Sequence, residues 1–122
     1  MSRRGARLLD YLQHILQAID RINAYVANVQ QSTFLNDPLL QDAVIRNLEI
    51  LGEESRNILR DHPGFAGENE RLPLKSAYEM RNVLAHGYFE VDMEIVWRTI
   101  VNDLPTLASQ VRKLLESPSG DR

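Results

Sequence analysis

Leu8-Leu9-Asp10-Tyr11-Leu12-Gln13-His14-Ile15-Leu16-Gln17-Ala18-Ile19-Asp20-Arg21-Ile22 opens an apolar series that falls at Leu8, Leu12, Ile15, Ile19, Ile22, Val26 and Val29. The steps alternate between four and three residues, a helical stripe held over about six turns. Leu9, Leu16 and Ala18 widen it to the breadth of a core-facing helix rather than a thin coiled-coil seam. Outward from this stretch the same period returns. Ser32 to Asn36 breaks it, and Asp37-Pro38 then reads as an N-cap followed by proline in the first turn. A second helix runs from there to about Arg60 with Leu40, Val44, Leu48, Leu51 and Ile58 inward. Gly52 lowers its propensity, which signals a close contact with another helix.

Residues 61 to 73 hold His62-Pro63-Gly64, Gly67, Asn69 and Pro73, a turn-rich connection. A third, shorter helix is predicted from Leu74 to His86. Beyond Gly87, Asp92 caps a fourth that carries Ile95, Val96, Ile100 and Leu104. Pro105 kinks or splits it, because proline lacks an amide donor and its ring clashes with the preceding turn. Leu107, Val111, Leu114 and Leu115 continue the apolar face. No segment alternates at period two for long. The expectation is an all-α antiparallel bundle of four main helices plus a kinked or split C-terminal helix. It forms one domain over 1–122, with 1–6 and 117–122 frayed.

The chain has 122 residues, of which 43% are hydrophobic and 25% charged, the balance of a folded globular protein. A net charge of −3 argues against a broad nucleic-acid-coating surface but leaves room for a local phosphate site. The absence of cysteine removes disulfides, thiolate metal sites and thiol nucleophiles. The basic start, Arg3, Arg4 and Arg7, leads into no sustained apolar stretch, and no run is long enough to cross a bilayer. A cytoplasmic protein without membrane contact is expected.

The chemistry concentrates in Arg81-Asn82-Val83-Leu84-Ala85-His86-Gly87-Tyr88. A guanidinium holds phosphate, and imidazoles exchange protons near neutral pH. Asn82 and His86 are four apart, so they stack on one helical face and the amide can orient the ring. Gly87 ends the helix and leaves His86 exposed on its last turn. Such a cluster suits phosphodiester chemistry on RNA, whose own 2′-hydroxyl is the nucleophile. Histidine would move the proton, and arginine, which stays protonated, would neutralise the phosphorane.

The chain resembles the HEPN superfamily, and within it the HepT-like toxin ribonucleases. The resemblance rests on arginine, a polar residue and histidine at Arg81, Asn82 and His86, and on the ending His86-Gly87-Tyr88. Gln41-Asp42-Ala43-Val44-Ile45-Arg46, Leu51-Gly52-Glu53-Glu54, and Tyr88-Phe89-Glu90-Val91-Asp92 followed by Trp97 also match. It departs where the family often carries Pro-Trp, since Leu74 follows Pro73.

The resemblance implies a metal-independent endoribonuclease with Arg81, Asn82 and His86 catalytic and no cofactor. It implies a homodimer that pairs two motifs in one cleft. It also implies a toxin of a toxin–antitoxin module, whose partner nucleotidyltransferase antitoxin transfers AMP to Tyr88. A non-catalytic helical binding subunit of a nucleotidyltransferase complex is the alternative.

With twelve arginines and three histidines, chance pairs are expected. Arg56-Asn57 and His62 fit the loose spacing, but they lack the glycine-tyrosine ending and are set aside as a decoy. An ion-pairing arginine and a solvated helix-end histidine are the plain alternative for Arg81 and His86. His14 reads as a surface residue, Tyr11, Tyr25 and Tyr78 as packing residues, and Glu53-Glu54 as a solvated face. No His/Asp/Glu set has metal-ligand spacing.

Overall fold

The computed structural model describes residues 3–86 and 91–116, with side chains from Arg7 onward. Helix α1 spans Arg3–Val26, α2 Gln31–Leu35, α3 Pro38–Asp61, α4 Pro63–Glu68 and α5 Leu74–His86. Then come α6, Met93–Arg98, a π-helical turn over Thr99–Asp103, and α7, Leu104–Glu116. The protein is an all-α bundle with no strand among the described residues. No helix among them is long and apolar enough to cross a membrane.

Helix α1 is amphipathic for the reason its spacing gave: Leu12, Ile15, Ile19 and Ile22 are buried, together with Ala18. Leu9, read as part of that face, is 42% exposed instead. The helix stops where Asn28 takes a positive φ of 63°, a conformation that asparagine tolerates better than most residues and that ends helices. Helix α3 starts as read, with Asp37 Oδ1 accepting from the Leu40 amide at 3.1 Å and Pro38 in the first turn. It lies at the centre of the bundle, packed on α1 along one side and on α5 along the other, while α7 closes against α1.

Two short helices occupy stretches that read as irregular. Five or six residues are too few to display a period. In α2, Phe34 is fully buried, its ring 5.3 Å from that of Trp97, so one aromatic anchors the turn. Burying such a side chain contributes about 2 kcal/mol, enough to order a single turn. Pro63 begins α4, and Asn69 Nδ2 donates to the Phe65 carbonyl at 2.9 Å at its far end.

The C-terminal arm is split, as Pro105 implies, but by widening rather than by a break. Proline has no amide to donate to the carbonyl four residues back, and its ring crowds that oxygen. The turn just before it opens to π geometry, so helical chain runs without a gap from α6 into α7. Asp92 caps α6, with Oδ1 accepting from the Glu94 amide at 2.9 Å. Val96, Ile100, Leu104, Leu107 and Val111 are buried, whereas Ile95, expected inward, is 47% exposed.

Tyr11 serves α1 through its hydroxyl, which donates to Asp61 Oδ2 at 3.0 Å and ties the two helices together. Hydrogen bonding from Arg60, then from Tyr11, holds the Asp61 carboxyl well below the usual carboxylate range.

Candidate active site

Gly52 sets the position of the site. A β-carbon there would lie 2.3 Å from Arg81 Cβ and 2.7 Å from the Ala77 carbonyl oxygen. Only the missing side chain lets α5 come this close to α3. The stem of Arg81 therefore lies directly on the α3 backbone, which is the close helix contact that the glycine signalled.

Two acceptors fix the head of Arg81. Its Nη1 donates to Asn82 Oδ1 at 3.1 Å, and its Nη2 lies 3.4 Å from Glu53 Oε1. The Arg81 side chain is one-third exposed, so the guanidinium is pinned yet open on one side. Glu53 Oε2 is also 3.7 Å from Arg56 Nη1, so one carboxylate stands between two arginines. Tyr78, one turn before Arg81, lies beside this group. Hydrogen bonding from Asn82, then from Arg56, draws its phenol below the ordinary range. A cavity of about 330 Å³ opens along the same face and is lined by Arg46, Glu49, Glu53, Glu54, Asn57, Arg81 and Ala85, among others.

His86 closes α5 in its last turn and is exposed. It is four residues beyond Asn82 and five beyond Arg81. At 3.6 residues per turn, a five-residue step turns a side chain by roughly 140°, so Arg81 and His86 leave the helix in different directions. The described chain brings Arg81 and Asn82 together and sets His86 on the exposed end next to Ala85. Gly87 and Tyr88 lie outside the described residues.

The sequence profile of the family described as Ribonuclease HepT-like matches residues 15–114. The chain belongs to this family. Among its HepT-like relatives, the Thermococcus cleftensis protein named "Probable ribonuclease HepT" is 39% identical over 86% of this chain and 93% of its own length. A "Putative RNase" of Caldanaerobacter subterraneus subsp. tengcongensis is 36% identical over 87% of this chain and 92% of its own. A longer Methanocaldococcus jannaschii protein, "Gamma-glutamylcyclotransferase and putative RNase", is 36% identical over 87% of this chain. The chain spans only 46% of that relative's length. No solved structure matches the chain significantly.

Several residues of this candidate site escaped the sequence reading. Glu53 and Glu54, read as a solvated face, carry partners, although Glu53 is still 43% exposed. Glu53 holds Arg81, and Glu54 takes His14 Nδ1 at 2.6 Å and Asn57 Nδ2 at 2.9 Å. Tyr78 belongs to the polar group rather than to the core packing, and Tyr25 is 41% exposed. Arg56 and His62, set aside as a decoy, face different partners: Arg56 turns to Glu53, while the His62 ring meets Tyr11 edge-on at 6.2 Å. The usable signal was Gly52. Once that glycine is matched to Arg81 on an antiparallel neighbour, Glu53 falls within one residue of the level of Arg81 and Arg56 within one residue of that of Tyr78.

Proposed function

We propose that this chain is a metal-independent endoribonuclease, the toxin of a toxin–antitoxin module. The reading is carried by a guanidinium seated on Gly52 and held by Glu53 and Asn82, within two turns of an exposed helix-end histidine, in a chain of the HepT-like ribonuclease family. Arg81 binds a non-bridging phosphate oxygen. His86 takes the proton from the 2′-hydroxyl, whose oxygen attacks phosphorus in line; the P–O5′ bond breaks as the leaving oxygen takes a proton from the His86 of a second copy, giving a 2′,3′-cyclic phosphate and a free 5′-hydroxyl. Asn82, which accepts from Arg81, orients the guanidinium and fixes the local geometry.

The catalytic unit is a homodimer with a two-fold axis near α5. Different exit directions for Arg81 and His86 support this, because a second copy supplies the missing side of the cleft. Val83, 61% exposed on the same helix, offers apolar surface for the pairing. Sedimentation at micromolar concentration is expected to give a dimer, and a monomer that cleaves RNA would refute the arrangement.

RNA with deoxyribose at the cleavage position is expected to resist cutting entirely, since the nucleophile is gone. Cutting of unmodified RNA should persist in EDTA. Cleavage at the deoxyribose position, or full inhibition by EDTA, would sink the mechanism.

Control is assigned to Tyr88. A nucleotidyltransferase antitoxin transfers AMP from ATP to its phenol oxygen and releases pyrophosphate. The added negative charge then repels RNA from the Arg81 face. With such a partner, ATP and magnesium, the intact mass is expected to rise by adenylate units in the wild type and not in Tyr88→Phe. Equal gain by both proteins would remove Tyr88 from this role.

A further inference from the structure

The Glu53 carboxylate is shared, unlike the carboxylates that pair with Arg60 and Arg112. Arg60 pairs with Asp61 at 2.8 Å and Arg112 with Asp20 at 3.0 Å, one acid to one base. Glu53 instead lies between two arginines, Oε1 facing Arg81 at 3.4 Å and Oε2 facing Arg56 at 3.7 Å. The two guanidiniums would repel each other without an anion between them. The nearby acids are otherwise engaged or balanced: Glu54 takes His14 and Asn57, and Glu49 lines the cavity together with Arg46.

A carboxylate bridging two guanidiniums has the charge and the paired acceptor oxygens of a phosphodiester. Both distances exceed those of tight charge-assisted hydrogen bonds, about 2.8 Å, so the anion is held loosely and is replaceable. Glu53 and Arg56 are each 43% exposed, so a strand can reach Arg56 and the outer part of the carboxylate, while Oε1, turned to Arg81, is shielded. Arg56 is within one residue of the level of Tyr78, three residues before Arg81 on α5, a rise of roughly 4.5 Å away from the His86 end. A strand whose scissile phosphate reaches Arg81 therefore passes Arg56 on the side away from His86.

We infer that Arg56 is a second phosphate-binding residue that forms a two-guanidinium clamp with Arg81, and that Glu53 occupies this clamp until an RNA phosphate displaces it. The inference rests on the ribonuclease reading for its ligand, single-stranded RNA. It gives Arg56 a role that its separation from His62 had seemed to deny. Glu53 is then a placeholder and spacer rather than a proton-transfer group.

The test is binding of a 2′-O-methylated single-stranded RNA, which cannot be cut, followed by fluorescence anisotropy over a range of salt concentrations. Arg56→Ala is expected to weaken binding about tenfold, as loss of one charge-assisted contact does. It should also lower the slope of log affinity against log salt by about 0.7. Arg56→Lys should keep the slope. Arg112→Ala, on the α1–α7 side, should change neither quantity. Glu53→Gln should bind more tightly than wild type, because the competing anion is gone.

A merely structural Arg56 would leave the salt slope untouched, and that result overturns the inference. So does weaker binding by Glu53→Gln with an unchanged helical circular-dichroism spectrum. Cleavage of unmodified RNA by the wild type is measured in parallel. Cleavage together with an unchanged Arg56→Ala slope rejects the clamp alone, whereas no cleavage rejects the ribonuclease reading.

Discussion

His86→Ala is expected to lower the single-turnover rate of RNA cleavage by about 10²–10⁴-fold, the usual contribution of a positioned proton-transfer group. The fold should barely register the change. His86 is exposed at the end of α5, and its removal forfeits at most a helix-dipole interaction of about 0.3–1 kcal/mol. Arg81→Ala should lose about 10²–10³-fold for want of charge stabilisation on the phosphorane. This variant also strands Glu53, whose Oε1 is shielded from solvent and faces Arg81, so a modest fall in Tm should accompany it. The two variants are therefore separable: His86→Ala loses activity at constant Tm, and Arg81→Ala loses both. His86→Ala enzyme cutting at the wild-type rate would remove His86 from the chemistry.

Gly52→Val is expected to lower Tm by about 10 °C and to abolish cleavage, although the residue touches no substrate. Intrinsic helix propensity pulls the other way, since glycine is worse than alanine by about 1 kcal/mol in a helix interior. Packing decides the sign. The new Cβ would sit 2.3 Å from Arg81 Cβ and 2.7 Å from a backbone carbonyl, and neither is the yielding tip of a flexible side chain. Overpacking of this kind costs about 1–3 kcal/mol, and α5 must lift off α3 to relieve it. Even Gly52→Ala should melt below wild type. Gly64→Ala is the matched control: nothing lies within 4 Å of its Cβ position, so its stability should hold or rise. A Gly52→Ala protein that melts at or above the wild-type temperature would disprove the close-contact account.

The long helices were legible because each buries one face over many turns. The stripe from Leu12 to Ile22 and the caps at Asp37 and Asp92 follow from local spacing and side-chain chemistry alone. Phe34 was not legible, because a single buried aromatic in a five-residue helix leaves no periodic trace. Within the candidate site, Arg81, Asn82 and His86 stood out by their clustering along the chain. Glu53, Arg56 and Tyr78 did not, since their relation to Arg81 exists only across the α3–α5 contact. Charges on a helix read as solvated until a neighbour is placed against them. Gly52 held that information in the sequence, but one small residue does not say which helix it admits.

The widened turn at Thr99–Asp103 amounts to a phase correction. Val96, Ile100, Leu104 and Ala108 recur every fourth residue. On an ordinary helix such a series slips by roughly 40° per step around the axis. A turn that holds more residues takes up part of that slip and keeps α7's apolar residues trained on α1. The arm is thus indifferent to side-chain changes at the exposed Val101, Asn102 and Asp103, though not at the buried Ile100, and it is sensitive to the number of residues in the turn. Removing one residue would let the turn close to ordinary helix, whereas removing a second would swing everything downstream by about 100°, turning Leu107 and Val111 toward water. In this bundle the count of residues between α6 and α7 carries structural information of the kind usually sought in their identity.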